Sequence, residues 1–281
     1  MPLERASIAK ILRFPVKSMG GEAVDATDVT ERGLAGDRIY GLIDQQSGKI
    51  ASAKNPTLWK DLPRYSARIY DQKNEIVEVT FPSGTTAKLP SPDFDDIVST
   101  ELKRRVTCSR TPTRDAKLDR MDPIAMLEGS SASADIESHQ MGRGSPPGTF
   151  FDFSPIHLMT MNTLSRIEEQ HPSNRADAER YRPNLIISCP DEAPGFLENN
   201  WVGRILRIGN ELVLRIVVAT PRCVIPTLEH RGLPRDLDVL RVLVKNNMVD
   251  IPGMGKRPCA GAYAQVVKTG RVALGDRVSF G

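Results

Sequence analysis

Four basic residues in this chain share one local setting. Lys17 follows Pro15-Val16 where an apolar run ends, and Arg38 follows the turn Gly33-Leu34-Ala35-Gly36-Asp37. Arg182 precedes Pro183-Asn184, and Arg222 follows Pro221 at the end of the apolar run 212–219. Pro, Gly, Asn and Asp stop strands and set turns. A cation placed there is held at its base by the scaffold and reaches outward at its tip. Four such cations, brought together, make an anion site without a high overall charge. Arg grips an oxyanion in bidentate fashion and Lys acts as a point charge. Taken singly, each is also what a solvated or ion-paired surface cation looks like. Cys223 directly follows Arg222. A guanidinium beside a thiol favours the thiolate, the form that binds soft metals. A buried, inert thiol is the other reading of that position.

The remaining chemistry-bearing residues exclude more than they suggest. Cys108, Cys189, Cys223 and Cys259 stand 81, 34 and 36 residues apart, which is neither a zinc knuckle, a redox pair nor an iron–sulfur loop. His139, His157, His171 and His230 are not paired at metal-ligand spacing, and His157 lies in an apolar run that suits a core or supporting residue. There is no G-x-G-x-x-G after a strand, no Walker loop and no G-x-S-x-G elbow.

The composition fits a globular chain with a sizeable core. Its 281 residues are 40% hydrophobic and 26% charged. The 38 basic and 35 acidic residues leave a net charge of +3, too small to announce a nucleic-acid binder, and 5% aromatics argue against base-stacking platforms. No apolar run approaches the ~20 residues needed to span a bilayer. The first residues lack the apolar centre of a signal peptide. These features predict a cytoplasmic protein with free thiols, with no nucleic acid and no membrane span.

Short apolar runs predict the elements that must position these residues. Strands are expected over 8–14, 39–44, 66–70, 76–81, 185–188, 205–208, 212–219, 262–267 and 277–280, with a hairpin at 71–75. Helical spacing appears over 94–106, 160–170, 176–181 and 237–244. The stretch 109–149 is polar and rich in Ser and Gly, and reads as a long loop or lid. The expected division is therefore 1–108, a loop over 109–149, and 150–281. Many short strands and few helices give an α+β class, predominantly β: a barrel or sandwich with helices laid on it.

Short fragments of the chain, taken in their order, resemble the MOSC family, called after the C-terminal domain of molybdenum-cofactor sulfurase. They are Phe14-Pro15-Val16-Lys17-Ser18, the turn 33–38, Phe151-Asp152-Phe153-Ser154-Pro155, Tyr181-Arg182-Pro183-Asn184, Pro221-Arg222-Cys223 and Gly261-Ala262-Tyr263-Ala264. The layout is similar to the amidoxime-reducing branch and its bacterial relatives without a ferredoxin domain. The resemblance implies a MOSC-type β-barrel with flanking helices, preceded by an N-terminal β-rich MOSC domain. It implies molybdenum cofactor, a pterin dithiolene with a terminal phosphate, held between two lobes. Cys223 would be the metal ligand. Lys17, Ser18, Arg38, Ser154, Arg182, Asn184 and Arg222 would contact the pterin or its phosphate, and Asp152 would deliver protons near the metal. Pro221 departs from the Ser that mitochondrial relatives often carry there. The implied activity is reduction of N-hydroxylated compounds such as amidoximes, hydroxylamines and N-hydroxy bases. Lacking an iron–sulfur cysteine cluster, the chain would need an external electron donor, a small haem or iron–sulfur protein with a flavin reductase. A carrier that delivers molybdenum cofactor or sulfur to another enzyme is the alternative. Pyridoxal phosphate binding is a further family-level association.

Overall fold

Segments rich in Ile, Leu and Val build the framework, as β-branched and large apolar residues pack well on a pleated surface. The computed structural model describes residues 3–113, 115–129, 136–142 and 144–281. In its largest sheet the neighbours run Val278–Phe280, Ile205–Ile208, Leu212–Pro221, Gly255–Lys268, Ile156–Thr160, Leu185–Ser188, Ser7–Arg13 and Glu22–Val24. Pairing is antiparallel except between Ile156–Thr160 and Leu185–Ser188. That parallel pair needs a crossover, and helix Met161–Gln170 supplies it, started by Thr160, whose side chain accepts from Thr163 N at 3.0 Å. The Ile8 N–H donates to Asp276 O at 2.9 Å and Val278 N–H to Ala6 O at 2.8 Å, tying the two flanks of the sheet together across the first strand.

The first strand thus belongs to the sheet of the second half of the chain. So does Glu22–Val24, and the buried Val29 and Leu34 pack in the core of that half, while the first half from Tyr40 onward builds a second core. It includes the hairpin Ser66–Asp71 with Ile76–Thr80, the pair Gly41–Asp44 with Val106–Ser109, and the buried side chains Trp59, Leu62, Val77, Val79 and Phe94. Val224, Ile225 and Leu228 cross over to pack in that same core. Cys223 therefore sits on the seam between two packed bodies. Arg180, fully buried, braces the segment behind it by donating to Pro226 O at 3.2 Å, Leu228 O at 3.1 Å and Pro234 O at 2.6 Å.

The strand-rich class follows the expectation, with two corrections of detail. The helix expected over 94–106 ends at Leu102, where Lys103 turns left-handed at φ 52°, and Val106–Ser109 continues as a strand. The stretch 109–149 is not an irregular loop throughout: Lys117–Met121 pairs antiparallel with Ile136–Gln140, and Pro123–Leu127 is a helix capped by Asp122. Those strands show little hydrophobic alternation because only Leu118 and Met121 are buried. Residues 114, 130–135 and 143 of that stretch lie outside the described residues. Among the described residues, no helix is long and apolar enough to cross a membrane.

Candidate active site

The seam opens into a cavity of about 320 Å³. Lys17, Ser18, Arg38, Lys54 and Arg120 line it from the first half, and Asp152, Arg182, Arg222 and Cys223 from the second. Six cations thus face one carboxylate in a protein that is nearly neutral as a whole. Ser18, Arg38 and Arg182 all have left-handed backbones, with φ of 66°, 50° and 56°. Non-glycine residues pay for that conformation, and such strain gathers at functional sites. It follows from the turns after strand ends that the sequence shows at these positions.

Two expected contact residues, Asn184 and Ser154, do not line the cavity, and Asn184 holds residues that do. The Asp37 carboxylate accepts from Phe14 N at 2.7 Å and from Asn184 Nδ2 at 3.0 Å, and it grips the Arg38 guanidinium. The Asn184 side chain also accepts from His157 N at 3.1 Å. Ser154 spends its hydroxyl on Ala264 O at 2.6 Å.

Arg222 donates through Nη2 to Tyr181 O at 2.7 Å, and its Nη1 lies 3.4 Å from His157 Nε2. Arg182 donates to Met19 O and stacks over Phe14 at 4.3 Å from the ring centre. Among the described residues, Arg182 Nη2 and Arg222 Nε are buried without a hydrogen-bond partner. An unpaired buried donor costs about 1–3 kcal/mol, and both of these belong to residues that line the cavity.

Asp152 bridges Lys17 at 2.7 Å and Lys54 at 3.0 Å. Burial alone would raise its carboxyl, but the charges of Lys17 and Lys54 hold it well below the ordinary carboxylate range. The carboxyl is thus ionised in the resting fold, so Asp152 would act in proton delivery by accepting a proton and passing it on, beside the Lys17 ammonium. Burial pushes the Lys17 ammonium down to about 8, with Asp152 opposing the shift. Burial, and after it the Arg222 charge, keeps His157 neutral, its ring wedged between Arg182 O and Ala260 O at 3.3 Å each.

Residues 146–279 match the MOSC domain and residues 5–125 match the MOSC N-terminal beta barrel domain. The chain belongs to the MOSC family. It is 22% identical to mitochondrial amidoxime reducing component 2 of Rattus norvegicus over 289 residues, and 23% identical to the Macaca fascicularis protein of that name over 308. Each alignment covers 97% of this chain and 82% of the relative. The solved YUAD protein of Bacillus subtilis matches with a TM-score of 0.46 and 11% identity over 98% of this chain and 94% of that one. MOSC domains are associated with molybdenum-cofactor binding, so the function of this MOSC protein is related to that cofactor.

The residues present fit such a group. A polyanionic cofactor needs fixed cations and unspent N–H donors, and Arg182 Nη2 and Arg222 Nε are such donors. A soft metal needs a thiol, and Cys223 is the cysteine that lines the cavity. Sequence reasoning missed Lys54, Arg120, Phe153, Tyr181 and Tyr263 as lining residues. Lys54 carried a usable signal, because Lys54-Asn55-Pro56 is the same cation-beside-proline turn as Arg182-Pro183-Asn184. Arg120 was hidden in the polar stretch, whereas Phe153, Tyr181 and Tyr263 stand inside the resembling fragments, where the cations and the thiol drew the reading.

Proposed function

We propose that this MOSC protein is a molybdenum-cofactor-dependent oxidoreductase that reduces N-hydroxylated compounds. The observation that carries this reading is the Cys223 thiol beside six cations in one cavity. Cys223 holds the metal, and Arg38, Lys54, Arg182 and Arg222 hold the anionic parts of the cofactor. The bound cofactor supplies the two-electron chemistry that breaks the N–O bond. The overall reaction balances as R–NHOH plus two protons and two electrons giving R–NH2 and water. Lys17, with its ammonium near 8, is the proton source closest to neutral pH, and Asp152 anchors it. Electrons come from an external donor, a small haem or iron–sulfur protein fed by a flavin reductase. The amidoxime-reducing names of the rat and macaque relatives support the substrate class.

The test is protein made in a host that synthesises the cofactor. Elemental analysis and pterin fluorescence are expected to give molybdenum and pterin equimolar with the chain, and reduced viologen to drive benzamidoxime to benzamidine. Protein that emerges without metal or pterin overturns the cofactor assignment. Loaded protein that passes its cofactor to an apo-enzyme but reduces no N-hydroxylated compound is a carrier instead.

A further inference from the structure

Part of the cavity wall is apolar and aromatic. Phe153, Val218, Ile251, Pro252, Met254 and Tyr263 line it. Tyr263 faces Val218 across the paired strands Leu212–Pro221 and Gly255–Lys268, and Val218 packs against the cluster containing Ile251. Ile251 and Met254 are carried by the hairpin that joins Met248–Ile251 to Gly255–Lys268. The rings of Phe153 and Tyr263 lie 5.5 Å apart at 34°. A register shift between Ile216 and Val218 lets Val217 line the cavity as well, the re-aiming a bulge produces beside a site.

This wall is wet where a core would be dry. Phe153 and Met254 line the cavity yet are each 37% exposed, and Phe153 is the residue after Asp152. Phosphate and other charged groups gain nothing from such a surface, whereas an aryl group gains from ring faces and from an adaptable thioether. Large apolar side chains left exposed at the rim of a polar cavity mark the place of a ligand's apolar part.

We propose that this wall is the substrate subsite and that it selects flat, uncharged aryl or heteroaryl groups on the N-hydroxylated compound. The inference rests on the reductase reading above, and it assigns Phe153, Met254 and Tyr263 as the specificity-determining residues. The cations hold the cofactor, and the aromatic pair that lines the same cavity holds the substrate beside it.

The experiment compares benzhydroxamic acid with acetohydroxamic acid, which differ in aryl against methyl. Each is reduced to its amide and water with two protons and two electrons from reduced viologen. The wild-type loaded protein is expected to prefer the aryl substrate, and Phe153→Ala and Met254→Ala to lower that preference in kcat/KM about tenfold each, the size of a lost apolar contact. Met254→Leu is expected to keep most of it. Binding of the amide product benzamide, read by saturation-transfer NMR, should weaken in the same variants while molybdenum and pterin content hold. An unchanged aryl-to-methyl ratio with unchanged benzamide binding overturns the subsite. A fall in pterin content also overturns it, because the wall then belongs to the cofactor. If the loaded wild type reduces neither acid yet binds benzamide through Phe153 and Met254, the reductase reading falls and the subsite stands.

Discussion

Asn184 and Asp37 are joined by a hydrogen bond of 3.0 Å from the side-chain amide to the carboxylate. The bond ties the turn that carries Arg38 to the turn that carries Arg182, across 147 positions of the chain. Neither residue touches the cavity, yet both cations depend on where those turns sit. Asn184→Ala removes this bond and leaves the His157 N–H without its acceptor. The expected cost is about 1–3 kcal/mol of stability. Inorganic phosphate should also protect the variant less than the wild type in thermal unfolding, since Arg38 is no longer held in register. Equal protection of both proteins would show that Asn184 supports the fold and not the anion site.

Removing the Asp152 charge should have the opposite effect on anions. Asp152→Asn leaves Lys17 and Lys54 side by side without their carboxylate. Breaking a buried pair costs roughly 3–5 kcal/mol, and the 31% exposure of the Asp152 side chain places the loss at the lower end of that range. A bound phosphate replaces the missing charge, so the shift in unfolding temperature on adding phosphate should be larger in the variant. In the wild type the carboxyl is held down in the folded state, so its contribution is present above the ordinary carboxylate pKa. It fades only as pH falls through the depressed value. A phosphate shift that shrinks in Asp152→Asn would mean that Asp152 shapes the site by geometry and not by charge.

Much of this arrangement was legible as sequence because turns are local. Lys17, Arg38, Arg182 and Arg222 each stand within two residues of Pro or Gly, which favour the places where strands stop. Their convergence was not legible, because it depends on pairings between distant segments. The strand Ser7–Arg13 docks beside Leu185–Ser188, and that contact brings Lys17 to Arg182 and Asp152. Strand Ile156–Thr160 escaped notice because it is buried on both faces and has no alternation to read. The charge state of Asp152 was out of reach for a related reason. It is set by Lys17 and Lys54, which lie more than ninety residues away in the chain.

Cys223 tests the metal assignment with a single atom. Its neighbours Val224 and Ile225 are locked in the first-half core, so Cys223→Ser changes one donor and little packing. The expected result is a folded protein with an unfolding temperature within a few degrees of wild type, much reduced molybdenum content and no reductase activity. Cys108, Cys189 and Cys259 do not line the cavity, and Cys189→Ser serves as the control. A serine variant that retains metal and full turnover would remove Cys223 from the ligand position.

Glu198 predicts how stability varies with pH away from the cavity. Its carboxyl is fully buried, accepts from Thr163 Oγ1 at 2.5 Å and also receives the Thr160 N–H at the start of the crossover helix. Burial raises its pKa above the ordinary 4.5, with the two threonine hydrogen bonds opposing but not cancelling the shift. The folded state therefore keeps a proton that the unfolded chain has already released. Its stabilising contribution is full below the unfolded value and is lost as pH rises through the higher folded one. Glu198→Gln preserves an acceptor oxygen and removes the titration. Unfolding temperatures measured from pH 4 to 8 should therefore fall more steeply for the wild type than for the variant over the lower part of that range. Parallel curves would mean that Glu198 stays ionised in the fold, paired through its threonine contacts alone.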